Sequence, residues 1–93
     1  MKERKMTTRH EVYQAIDTER DYQDARWPQD NTPGVPNPLT IGEFVLLLSE
    51  YVDLAKSEWA QEKKPELKTV KIVRKIAAIA VNCMEQHGAP KRD

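Results

Sequence analysis

No second cysteine accompanies Cys83, no apolar run approaches bilayer-spanning length, and neither sign of charge is in excess: 15 Lys and Arg face 15 Asp and Glu over 93 residues. Each absence removes a class of protein. A lone thiol excludes an internal disulfide and fits a reducing compartment, and Cys83, set among apolar residues, reads as a small buried hydrophobe. A membrane span needs roughly 18 consecutive apolar residues, and Met1 to Met6 is charged instead, so a cytoplasmic location with no membrane partner is expected. Zero net charge supplies no field that would gather nucleic acid or an anionic surface. Gly-rich phosphate loops, zinc-ligand spacings and Cys/His nucleophile arrangements are all missing, so conventional hydrolase triads drop out. Nothing alternates apolar and polar with a period of two, which excludes a sheet.

What is present reads as helix. A single domain of this size has a thin core, burying only about two-thirds of its unfolded surface. Thr8-Arg9-His10-Glu11 is a capping box that opens a helix over about 8–27, and Pro28 ends it. The 28–39 connection, with four prolines, one glycine and two asparagines before Leu39, defeats helix and strand alike. Thr40-Ile41-Gly42-Glu43 is a second capping box. It opens a helix over about 40–61, with Phe44, Leu47, Leu48, Tyr51, Leu54 and Ala55 at helical spacing. A third helix, about 65–87, starts at Pro65 as first helical residue and stops at Gly88 as a left-handed cap. The expected fold is all-α: a helical hairpin plus an N-terminal helix. The third helix is apolar over more than one face between Ile72 and Met84, too much for one small chain to cover. Completion of the bundle by homo-oligomerisation, as a dimer or higher, is therefore expected.

Three sets of residues could carry chemistry. On the first helix Val12, Ala15, Ile16, Glu19, Tyr22, Gln23 and Arg26 share the inward arc, so Glu19 interrupts an apolar stripe and needs a partner there. That partner is a ligand or cation, or else Arg20, Arg26 or a base of the third helix. On the second helix Glu50 and Asp53 project from adjacent turns of one face, with Glu43 two turns upstream, and hard cations such as magnesium take oxygen ligands in this manner. On the third, Lys71, Arg74 and Lys75 form a basic strip suited to phosphate, arginine as a planar fork and lysine as a movable charge. Each set reads equally as a solvated or salt-bridged face. Tyr22 and Trp27 are candidate stacking surfaces for a base, and His10, in a first helical turn, reads as solvated.

The segment Leu48-Ser49-Glu50-Tyr51-Val52-Asp53-Leu54-Ala55-Lys56 resembles the Glu-Glu-x-x-Glu-Leu-Ala helix of MazG-like all-α nucleoside triphosphate pyrophosphatases. The whole chain is similar to small proteins common in bacteriophages and prophages. In that family a Glu-x-x-Glu pair and, on the next helix, a Glu-x-x-Asp pair bind magnesium, which holds the triphosphate and activates water. Glu50 and Asp53 match the first pair, with aspartate replacing glutamate. The second is absent: Lys71 and Arg74, or Ile72 and Lys75, stand where acids belong. The resemblance, carried on 40–88, thus implies a site in which Lys71, Arg74 and Lys75 grip a nucleotide-like phosphorylated ligand without turnover; the residues themselves add Glu19, Glu50 and Asp53 for ribose hydroxyls or base edges and Tyr22 or Trp27 for stacking. In a phage setting such a binder, in the host cytoplasm, would sequester a host defence signal. The alternatives are a magnesium-dependent pyrophosphohydrolase built on Glu50 and Asp53, and a protein-interaction module or inhibitor of a host protein using the apolar face of the third helix.

Overall fold

The computed structural model describes residues 6–26, 39–61, 63 and 65–92, and the chain is all-α. It forms α1 (Arg9–Arg26), α2 (Ile41–Trp59) and α3 (Glu66–His87), with no strand among the described residues. Trp27, and all of the 28–39 connection except Leu39, lie outside the described residues. No described helix is long and apolar enough to cross a membrane.

Capping boxes set two of the three helix starts. Thr8 Oγ1 accepts a hydrogen bond from the Glu11 N–H at 3.1 Å, and Glu11 Oε1 accepts one from the Thr8 N–H at 2.9 Å. Thr40 and Glu43 repeat the arrangement at 3.0 and 2.8 Å. Glu43 is thereby committed to its own helix start, where its charge also faces the positive end of the helix. Hydrogen bonds from the Thr8 backbone and then its hydroxyl hold the Glu11 carboxyl below the ordinary carboxylate range. A depressed folded pKa means that the contribution of this cap is present above the unfolded pKa and is lost as pH falls through the folded one. In an NMR acid titration the Thr8 amide should therefore shift with a midpoint below that of a free glutamate, and an ordinary midpoint would refute the capping role.

α3 departs from the sequence reading at both ends. Pro65 is the N-cap, not the first helical residue, and its carbonyl accepts from the Thr69 N–H at 3.0 Å and from the Thr69 hydroxyl at 2.9 Å. Gly88 has φ 119° and ψ 151°, a mirror-extended conformation rather than the left-handed helical cap. Only glycine reaches that region without strain, so the chain turns out of the helix there, just after the Gly88 N–H has closed the last helical bond to Met84 O at 2.8 Å.

α3 is the spine of the molecule. Both α1 and α2 pack on it, and among the described residues α1 and α2 do not pack on each other. The α2 side is apolar: Phe44 is the large side chain that is fully buried, at 1 % exposure, and Ile72 and Ile79 of α3 are also buried. Phe44 meets the His87 ring edge-on, with centroids 6.0 Å apart and planes at 83°, while His87 Nε2 lies 2.6 Å from Leu39 O. At that distance from a carbonyl, Nε2 carries the proton and donates. The start of α2 thus lies beside the end of α3, and the two form an antiparallel hairpin.

The α1 side is polar. Its buried residues are Glu19, Arg20 and Gln23, and residues 9–18 are exposed except for the half-buried Ile16. The inward arc read from the sequence is therefore too long: Val12, Ala15, Tyr22 and Arg26 are exposed. Only the second half of α1 reaches α3. Elsewhere Leu54, Val70, Val73 and Met84 are exposed, and Cys83 is half-buried rather than buried.

Candidate functional site

Because α1 and α2 each pack on α3 and, among the described residues, not on each other, a gap remains between them. It is a cavity of about 300 Å³. Leu39, Phe44, Leu47 and Tyr51 form the α2 wall, Glu19, Tyr22 and Gln23 the α1 wall, and Lys75, Ile79 and Asn82 of α3 the floor. One wall is apolar and aromatic, and the other offers hydrogen-bonding groups. A planar molecule with a polar edge matches such a division.

Glu19 is the most constrained polar group there, at 6 % exposure. Arg74 Nε donates to its Oε1 at 2.9 Å. Its Oε2 makes no hydrogen bond and has only the Lys75 ammonium at 3.7 Å. Lys75 also stands over the Tyr22 ring, 5.7 Å from its centre, a cation–π contact that orients the lysine across the cavity edge. Gln23 Nε2 donates to Lys75 O at 3.4 Å and ties α1 to the floor.

Arg20, one residue on, faces away from the cavity. Its Nε and Nη2 donate to Glu85 Oε1 at 3.0 and 2.6 Å, Nη2 donates to Asn82 Oδ1 at 3.1 Å, and Nη1 pairs with Asp24 Oδ1 at 2.7 Å. Burial alone would lower the guanidinium pKa, but Glu85 and Asp24 outweigh it and raise it, so Arg20 stays charged at any working pH. Asn82, a residue of the cavity floor, is thus held by its oxygen, which also accepts from Gln86 Nε2 at 3.1 Å.

No protein-family model matches the chain, and no curated protein or solved structure matches it either. The site therefore stands on its geometry. Of the residues singled out in the sequence, the fold brings Glu19, Tyr22 and Lys75 to the cavity and links Arg74 to it through Glu19. Lys71 is exposed and off the lining, and Trp27 lies outside the described residues.

Glu50 and Asp53 are exposed and do not line the cavity, and Asp53 pairs with Lys56 at 3.6 Å. Among the described residues no three His, Cys, Asp or Glu side chains come together as a metal would require. The donor set does not fit the magnesium that the resemblance implies: Glu43 caps its helix and Glu19 is held by Arg74, so neither joins Glu50 and Asp53. Sequence reasoning passed over Asn82. Its signal was available, as the single amide in the apolar run from Ile76 to Met84.

Proposed function

We propose that the chain is a small-molecule binding protein that holds a nucleotide-like, phosphorylated ligand between α1 and α2 without turning it over. The observation that carries this reading is the buried Glu19 carboxylate, with one oxygen free of hydrogen bonds beside a cavity whose opposite wall is apolar and aromatic. An unsatisfied buried acceptor is costly, and an amino or imino edge of a heterocycle would relieve it. The ring would lie against Phe44 and Tyr51. A phosphate would take Lys75 at the rim and Lys71, one turn earlier on α3, as point charges. The volume is at the small end of the roughly 300–1,000 Å³ common for ligand sites, enough for the base while the charged tail stays outside.

Binding without turnover is supported by the placement of Glu50 and Asp53, the acids of the resemblance, away from the cavity. If the chain is phage-encoded, sequestration of a host signal is the role this assigns. Self-association belongs to the same reading and is supported by the apolar side chains that α2 and α3 leave exposed.

To test the reading, the protein is incubated with mixed nucleotides, including cyclic dinucleotides and ADP-ribose derivatives, with and without magnesium, and what stays bound is released by denaturation. Intact ligand is the expected outcome, and product appearing only with magnesium would replace the proposal by the enzyme. Glu19→Gln should weaken binding about tenfold or more, since a hydrogen bond to a charged group contributes about 1.5–3 kcal/mol. Unchanged affinity in that variant would remove Glu19 from the site.

A further inference from the structure

A second row of apolar residues runs along α2 beside the one that meets α3. Ile41, Val45, Leu48, Val52, Ala55 and Trp59 follow one another at alternating intervals of four and three, the spacing of a heptad seam. On α3, Val70, Val73, Ala77, Ala80 and Met84 do the same. α3 therefore has three faces, each about a third of a turn from the next. Arg74, Ala78, Asn82 and Glu85 face α1; Ile72 and Ile79 face α2; and the Val70–Met84 row faces neither. At 3.6 residues per turn, in an antiparallel hairpin, the α2 row and the α3 row turn to the same side, away from α1 and the cavity.

Together they make one apolar face, bordered at one end by Glu66, one turn before Val70. Apart from the half-buried Leu48, its large members remain open, from 43 % exposed at Val52 to 60 % at Val70. Ile41, Val45, Val52, Trp59, Val70, Val73 and Met84 each expose roughly 70–120 Å², so the face offers about 650 Å². That approaches one partner's share of a standard interface, about 800 Å², and lies at the upper end of the roughly 300–600 Å² that a monomer's largest patch shows.

We infer that the occupant of this face is a second copy of the chain, packed hairpin on hairpin about a two-fold axis to close a four-helix bundle. The inference rests on the self-association reading above and specifies its surface. Two features favour a second copy over a foreign helix. Each heptad row is the knob-and-hole pattern that an identical row accepts, so the face is complementary to itself under a two-fold axis. The chain also buries few apolar side chains alone, namely Phe44, Ile72, Ala78 and Ile79 among the described residues, so the additional core is needed wherever the protein is folded. The cavities then lie on the two outer sides of the assembly, open to solvent, and ligand binding does not compete with assembly.

Sedimentation equilibrium of the full chain, with folding checked by circular dichroism, tests this with Val45→Glu and Val73→Glu against the control Leu46→Glu, whose site is exposed but off the face. A dimer or larger species is expected for the wild type and the control, with association weakened at least about a hundredfold in each seam variant. If a glutamate variant fails to fold, the near-isosteric Val45→Thr and Val73→Thr keep the shape and should still weaken association about tenfold. A monomeric wild type at about 100 μM, well above the Kd of a stable dimer, overturns self-association itself. A wild type that associates, with seam variants that associate equally well, overturns this surface and leaves self-association standing. Dissociation by Leu46→Glu as strongly as by the seam variants moves the interface to the outer side of α2 and likewise overturns the assignment.

Discussion

Phe44→Ala is expected to destabilise the protein by about 3–5 kcal/mol, enough to unfold much of it at room temperature. The argument is one of scarcity. Domains of this kind hold only about 5–15 kcal/mol of net stability, and here a single large side chain is fully buried among the described residues. Phe44 is also where the two ends of the hairpin meet, since it packs on the His87 ring while His87 donates to the carbonyl of Leu39. Truncation leaves a void at that junction and removes the edge-on ring contact, itself contributing about 0.5–1.5 kcal/mol in aromatic pairs. A urea melt followed by far-ultraviolet circular dichroism would measure the loss, with Phe44→Leu as the variant that keeps most of the volume. A midpoint for Phe44→Ala displaced by the equivalent of less than about 1 kcal/mol would mean that the hairpin is held elsewhere.

The second large effect is of a different kind. Arg20→Ala should cost about 2–3 kcal/mol, less than the loss of a wholly buried ion pair, because Glu85 and Asp24 are each about half exposed and would be rehydrated. The consequence should be local. Arg20 and Glu19 hold α1 to α3 through polar contacts, and little apolar surface backs them up. Native-state hydrogen exchange should therefore show α1 losing protection while the amides of α3 keep theirs. Arg20→Met separates packing from charge: it keeps the apolar stem and gives up the contacts to Glu85, Asp24 and Asn82. If α1 exchanged no faster in either variant, the polar contacts would not be what docks it.

The contrast between these substitutions shows which features were legible in the sequence. Both capping boxes were readable from four residues each, because a cap is a contract between neighbours in the chain. The apolar side of α2 was readable from spacing at Phe44, Leu47 and Tyr51, whereas Leu54 has the same spacing credentials and lies exposed. On α1 the arc pointed correctly to Glu19 and Gln23 and wrongly to Val12 and Ala15. Where a helix stops touching its neighbour depends on the neighbour's position, which no local pattern contains. The candidate site shows the same limit. Glu19 was marked as needing a partner, with Arg20, Arg26 or a base of the third helix as the candidates; the fold takes the last, Arg74, 55 residues away, and sends Arg20 to Glu85 instead. The basic strip Lys71, Arg74, Lys75 looked like one surface and is divided into a solvated lysine, a base paired to Glu19 and a base at the cavity rim.

The separation of α1 from α2 has a mechanical meaning. Forces between them pass through α3 or along the connecting chain, so the two helices resemble the arms of a caliper mounted on one bar. A molecule seated in the gap would touch both arms at once and supply a brace that the described residues do not. Occupancy would then stiffen the whole domain in proportion to how far the ligand concentration exceeds its dissociation constant. Empty, such a caliper would open first on its ionic side, where α1 is held by Arg20 and Glu19; filled, it would be braced there.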